Sequence, residues 1–306
     1  MTILGRDRVG LEDSVPTVWP KGDMVAAERL PTALGFLVGN ELRVARDQAR
    51  IKQSTAADFL GITAGGLAHL ESGRNRQQPD VVRALLGHYG VPQPQIDRIA
   101  RLAGRSDADD WWASNADVVP DWLRTLIGLE GLASSSFAYA PMVVAGLAQT
   151  RGYARALLTD NLRVPLVDAD RVVDVRTDRQ RHLWRDENPL RLHCVLEEAV
   201  LHRRIGGSDV FREQLQHLLD LSTKPNVTLQ VIPFDVPVHD GLDGKFTLLD
   251  FTEARSIGYS EGPEGARSVQ EPGQVAAYHL RAERIAERAL PVHDTRDLIA
   301  RYMAAL

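Results

Sequence analysis

The sequence predicts an α+β protein, a small N-terminal bundle of five helices followed by a larger mixed α/β domain. Three observations predict it. Apolar residues recur at helical spacing from Leu34 to about Ala103. Beyond Trp122 the pattern changes, and Val227–Ile232 and Phe246–Phe251 read as buried strands, rich in β-branched or aromatic residues and bounded by Pro and Gly. A length of 306 residues suits two domains, one of them small.

The chain opens with residues 1–32, which carry Pro16, Pro20 and Pro31 without a clear period and read as an irregular extension. A helix is expected over Leu34–Arg50, with Leu34, Leu37, Val38, Leu42 and Ala45 on one face. Gln53–Gly73 reads as two short helices joined by a tight turn and fastened by Ala57, Leu60, Ile62, Leu67 and Leu70. Gly61 has no Cβ and can take the left-handed conformation that stops the first of them. Thr63 is a good N-cap for the second, because its hydroxyl can accept from an otherwise unpaired backbone N–H. A fourth helix is expected over Asp80–Tyr89, with Gly90 as its stop, and a fifth over Pro94–Ala103.

Gly104–Asp110 is a polar linker, and Trp111, Trp112 and Trp122 just after it read as an aromatic wedge between domains. In the larger domain, helices are expected over Asp121–Ala133, Arg151–Leu158, Val172–Arg185, Val210–Leu221, Gln274–Ala289 and Thr295–Ala305. Leu192–Leu196 adds a short strand. The expected boundaries are 1–32 for the extension, 33–105 for the bundle and 106–306 for the mixed domain.

The paired helices at Gln53–Gly73 have the layout of a DNA-binding helix-turn-helix, whose second helix enters the major groove. Gln53, Ala57, Leu60-Gly61-Ile62-Thr63, Leu67-Ala68, Leu70-Glu71 and Gly73 resemble the Xre/Cro-type helix-turn-helix family. The resemblance implies contacts with double-stranded DNA from Gln53, Thr63, Ala64, Gly65, His69, Arg74, Asn75 and Arg76. Gln53 would hydrogen-bond a phosphate, and Thr63 would cap the second helix and touch phosphate as well. Ala64, Gly65 and His69 would face base edges, Arg74, Asn75 and Arg76 would lie along the backbone, and Glu71 would hold the loop. Bidentate recognition of a base needs Arg, Lys, Asn or Gln, worth about 1–3 kcal/mol of discrimination each. Ala64 and Gly65 offer a methyl group and bare backbone, which points to modest sequence selectivity, reading by shape, or loss of DNA binding.

The net charge of −5 is unevenly spread. Leu34–Arg105 holds ten bases against six acids, a balance of +4 that leaves −9 for the remainder. A mildly basic head on an acidic body suits a DNA-binding module joined to a part that does not touch DNA. A single cysteine, Cys194, excludes an internal disulfide framework and fits a reducing compartment. No apolar run approaches the roughly 20 residues of a membrane span, and the first residues lack the pattern of an export signal. A cytoplasmic location without membrane contact is expected.

A second resemblance covers the larger domain. Tyr139-Ala-Pro-Met-Val-Val-Ala-Gly146-Leu-Ala-Gln149-Thr150-Arg-Gly-Tyr153, Arg176-Thr-Asp-Arg179-Gln180, Leu196-Glu197-Glu198 and Val231-Ile-Pro233-Phe234 look like the signature of a C-terminal domain of unknown function. That domain follows Xre-type heads in many actinobacterial, antitoxin-like regulators. Ala145 departs from the proline usual there. The resemblance implies a small partner protein or a small-molecule effector.

Other candidates have ordinary readings. His193 and Cys194 are strand neighbours that point to opposite faces, a poor pair for one metal ion. Glu197 and Glu198 are expected to begin a helix, and His239-Asp240 to form a solvated turn. Arg176, Arg179, Arg181 and Arg185 share their segment with Asp174, Asp178 and Asp186 and read as a solvated ion-pair face, with an anionic ligand or partner as the alternative. No glycine-rich phosphate loop, zinc-ligand spacing or nucleophile elbow is present, so no catalytic, cofactor or metal residue is expected. The reading is a homodimeric DNA-binding regulator controlled through its larger domain. Two alternatives remain at this stage: a regulator scaffold recruited as an enzyme with His239, Glu197 or Glu198 lining a pocket, and a protein-binding, antitoxin-like module.

Overall fold

The computed structural model describes residues 31–105, 117–159, 168–262 and 265–306. The extension before residue 31 lies outside them, as do Trp111 and Trp112 of the expected wedge. The helical head consists of α1 (Ala33–Gln48), α2 (Gln53–Leu60), α3 (Ala64–Glu71), α4 (Pro79–His88) and α5 (Gln93–Ala103). Its helix ends follow local chemistry. Thr32 Oγ1 accepts from the Gly35 N–H at 3.0 Å, and Thr63 Oγ1 from the Gly66 N–H at 3.0 Å. Gly61 takes φ 68° and closes α2, and prolines occupy the first turns of α4 and α5. Leu37, Leu42, Leu67, Leu85 and Ile99 fill the core between these helices.

Helix α1 meets the end of α3 across glycines. A Cβ on Gly39 would stand 2.4 Å from the carbonyl oxygen of Glu71, and one on Gly73, where φ is 76°, would stand 2.5 Å from the carbonyl carbon of Gly35. Gln77 Nε2 donates to the carbonyls of Gly35 and Leu70, at 2.9 and 2.7 Å, across the same contact. Helix α3 is therefore set at a fixed distance from α1.

The larger part begins with α6 (Asp121–Leu132) and is built on a six-stranded mixed sheet. Its strands are β1 (Ser135–Ala140), β2 (Arg191–Glu197), β3 (Val227–Ile232), β4 (Phe246–Asp250), β5 (Ile257–Gly262) and β6 (Gly265–Val269), in the order β3-β2-β1-β4-β5-β6. β1, β2 and β3 run parallel, with Ala138 beside Cys194 and Cys194 beside Leu229, whereas β4, β5 and β6 pair antiparallel. Helices α7 (Arg151–Thr159), α8 (Ala169–Asp178), α9 (Glu198–His202) and α10 (Gly207–Leu221) lie in the connections between parallel strands. Helices α11 (Pro272–Arg288) and α12 (Val292–Ala304) follow the sheet. Phe137, Tyr139, Val195 and Ile232 pack with Val275, Ala282 and Ile285 of α11 on one face. The alternate residues Ala138, Ala140, Cys194, Leu196 and Leu229 join α10 and α12 on the other. Burial of Cys194 pushes its thiol up to about 12.

Two features depart from the sequence expectation. The strands β5 (Ile-Gly-Tyr-Ser-Glu-Gly) and β6 (Gly-Ala-Arg-Ser-Val) carry the Gly, Ser and charged residues of a sheet edge, so no apolar run announces them. The expected helix Val172–Arg185 is divided: α8 ends at Asp178, and Arg179–Trp184 continues as a 3₁₀ segment. The three-residue period of that segment puts Arg179 and His182 on one side, where both are buried.

Head and body touch. A Cβ on Gly128 of α6 would lie 2.7 Å from Ala33 Cβ of α1. Glu41, fully buried on α1, accepts from the Arg255 backbone N–H at 2.6 Å and from Arg255 Nε at 3.1 Å. Among the described residues, no helix is long and apolar enough to cross a membrane.

Candidate nucleic-acid interface

Glu71 is the anchor of the helix-turn-helix. It is buried at the end of α3 and accepts from Arg46 Nε at 2.6 Å and Arg46 Nη2 at 3.1 Å, a bidentate pair. Gln53 Nε2 donates at 2.9 Å to Glu71 Oε2, the oxygen that also accepts from Arg46 Nη2, and Arg46 Nη1 reaches the Ile51 carbonyl at 3.0 Å. One carboxylate thus ties α1, α2 and α3. The hydrogen bond to Glu71 raises the Arg46 guanidinium above its ordinary value, while burial, followed by the charge of Glu71, pushes the Tyr89 phenol up to about 12. Gln53 was expected to face a phosphate, and one of its two amide hydrogens is instead committed inward.

Leu67 is fully buried beneath α3, which turns the opposite side of that helix to solvent. Gly65 and His69 are exposed on that side, and Thr63 and Ala64 are exposed at the N-terminal end of the helix. Arg74, Asn75 and Arg76 are exposed in the loop that follows, and the Asn75 N–H closes the loop on the His69 carbonyl at 3.1 Å. Of the eight residues singled out in the sequence, seven are thus exposed on α3, its N-cap or the loop after it, and Gln53 is partly turned in. Arg50 and Lys52, exposed just before α2, extend that basic edge. Arg50 sits at φ 57° in a two-residue turn, and its exposure was readable only from that turn. Phe59, 49% exposed, stacks on His88 with ring centroids 4.1 Å apart.

Gly65 stands out within this surface. A Cβ there would find Thr63 Oγ1 at 3.9 Å and nothing nearer, so the protein's own packing does not require glycine. A glycine costs about 1 kcal/mol relative to alanine in a helix interior, and less in the first turn, where Gly65 stands.

In the larger part, the sequence candidates have other surroundings than expected. His239 is buried rather than solvated: its Nε2 lies 3.1 Å from Glu197 Oε1, and its Nδ1 accepts from the Gly241 N–H at 3.1 Å. The Tyr139 hydroxyl donates to the same Glu197 oxygen at 2.5 Å. Glu198 begins α9, as expected, and accepts from the Phe234 N–H at 2.8 Å and the Tyr302 hydroxyl at 2.7 Å. These groups meet at the carboxyl ends of β1 and β2 and satisfy one another's hydrogen bonds. His193 points away from Cys194 and meets Gln230 Oε1 at 2.7 Å.

The arginine run is not, as a whole, a solvated ion-pair face, although Arg181 is exposed. Arg179 is buried on Glu130, and Arg185 Nη1 donates to the Gly131 carbonyl at 2.6 Å. The Gly146–Tyr153 signature is a turn held by buried amides. Gln149 Nε2 donates to the Val144 carbonyl at 2.6 Å, and Gln214 bridges the Thr150 N–H and the Ala148 carbonyl, at 2.8 and 2.7 Å. Among the described residues, His293, Asp294 and Asp297 come close enough to share a metal ion, but all three are exposed at the start of α12.

A family model described as a helix-turn-helix domain matches residues 37–99, and one described as a domain of unknown function (DUF5753) matches residues 123–301. No curated protein and no solved structure matches the chain.

Proposed function

We propose that this chain, which belongs to the DUF5753 family and carries a helix-turn-helix domain ahead of it, is a transcriptional regulator of the Xre type that binds operator DNA as a homodimer. Residues 33–105 form the DNA-binding part and residues 106–306 the part that responds to a small-molecule effector or a small partner protein, as in antitoxin-like regulators. Helix α3 enters the major groove. Ala64, Gly65 and His69 face the base edges, while Thr63, Arg74, Asn75 and Arg76 track the phosphates, joined by Arg50, Lys52 and the remaining amide hydrogen of Gln53. Two heads related by a two-fold axis read half-sites one helical turn apart. Phosphate contacts supply most of the affinity, so binding falls steeply with salt.

The observation that carries this reading is Gly65, a helix-weakening residue on an exposed helix with no neighbour inside the protein to demand it. Its value is outside, where bare backbone can lie against the floor of a groove. Gly65→Ala is accordingly expected to have opposite effects on two measurements. By thermal or urea unfolding the fold gains part of the roughly 1 kcal/mol that separates alanine from glycine in a helix interior, while affinity for operator DNA drops. An alanine variant that is more stable and binds DNA unchanged would remove α3 from the groove. The Glu41–Arg255 contact supports control through the larger part, because it fastens the β4–β5 connection to the helix that carries α3.

A further inference from the structure

Beneath the Gly146 turn, two neighbouring arginines have donors that no described residue takes up. Arg179 applies Nε and Nη2 to Glu130, at 2.8 and 2.6 Å. Its Nη1 has no acceptor among the described residues and lies 3.3 Å from where a Cβ on Gly146 would stand. Arg176, three residues earlier, is partly open to solvent. Its Nε is enclosed without a partner, and its Nη1 reaches Gln149 Oε1 at 3.5 Å, the long limit of a hydrogen bond. Glu261 acts on both arginines but is held by Lys245 at 2.7 Å. Among the described residues, Arg176, Arg179 and Lys245 face only Glu130 and Glu261, which leaves one positive charge over there. Burial, and then the like charge of Arg179, bring the Arg176 guanidinium down to about 10.

An enclosed cation without a counter-charge is unfavourable unless an ionised group pairs with it. The planar fork of a guanidinium matches the oxygens of a carboxylate or a phosphate. We propose that Arg176 and Arg179 Nη1, with the approach left clear by Gly146, bind the carboxylate or phosphate group of a small effector between the Gly146 turn and α8. The proposal rests on the reading of the larger domain as the effector-sensing part and gives that effector its chemistry. Its position suits such a role. Glu130, on the other side of Arg179, is two residues from Gly128, where α6 touches the helix that carries the head.

The test is thermal unfolding of the full chain in inorganic phosphate and, separately, in acetate, each against chloride at equal ionic strength. At least one oxyanion raises Tm by about 2–4 °C when present tenfold above its Kd, and which one does so identifies the group recognised. Arg176→Gln loses that shift, yet its Tm without oxyanion does not fall, because the variant removes an uncompensated charge rather than a structural bond. Arg76→Ala, on the DNA-facing side, keeps the shift. No shift with either oxyanion overturns the proposal. So does an unchanged shift in Arg176→Gln, a loss of shift in Arg76→Ala, or an Arg176→Gln protein that unfolds several degrees lower. None of these readouts involves DNA, so the regulator reading stands or falls separately.

Discussion

Replacing Glu130 by alanine destabilises the protein by about 3–5 kcal/mol, the penalty of leaving one member of a buried ion pair without its partner. Glu130 is 2% exposed and Arg179 6%. Burial works against the Arg179 charge, and the Glu130 carboxylate more than offsets it, so the guanidinium stays above its ordinary value. Without Glu130 the cation remains, since arginine does not give up its proton at working pH. The source of the loss is separable by a second change. Glu130→Ala combined with Arg179→Met recovers most of the lost stability, because a buried pair contributes little net once its desolvation is counted. Urea unfolding of both variants is the measurement. A double variant as unstable as the single would mean that the shape of the two side chains, not the stranded charge, sets the effect.

Gly39→Val is expected to weaken operator binding about tenfold or more while leaving a folded protein. The branched side chain would push against the carbonyl groups of Leu70 and Glu71, which are backbone and cannot rotate away. Overpacking of this kind costs about 1–3 kcal/mol, within the stability of an ordinary domain. The more telling effect is geometric, since the only relief is to move α3 off α1. Arg74, Asn75 and Arg76 remain in the sequence but no longer lie at a fixed distance from Ala64 and Gly65. Affinity for operator DNA falls roughly tenfold or more, equivalent to about 1.4 kcal/mol, at temperatures where circular dichroism still reports the helices. Normal affinity in a folded Gly39→Val protein would show that α1 does not position α3.

The head was legible in the sequence because its determinants are local. Gly61, Thr63 and the apolar spacing of Leu34, Leu37, Val38 and Leu42 act within a few residues, and each helix formed within a residue or two of where they place it. Strands β2, β3 and β4 were legible for the same reason; Val227–Ile232, for example, carries its own alternation of burial. What escaped depends on distant partners. His239 reads as a turn residue until the fold brings Glu197 and Tyr139 to it. The arginine run reads as a solvated face until Glu130, 49 residues away, appears beneath Arg179. Strand β5 takes its conformation from pairing with β4, and β6 from pairing with β5, rather than from their own composition. In the candidate interface, the exposed residues followed from motif position. The inward turn of Gln53 toward Glu71 did not, because a glutamine amide can serve both a phosphate and a carboxylate.

The central claim is that α3 and the loop after it bind DNA. Fluorescence anisotropy of the purified protein with the duplex upstream of its own coding sequence, against a random duplex at two salt concentrations, tests it most directly. The account predicts tighter binding to the upstream duplex, weakening with salt, and loss of that binding in an Arg74→Ala/Arg76→Ala variant. Equal and feeble binding to both duplexes at low salt would contradict it.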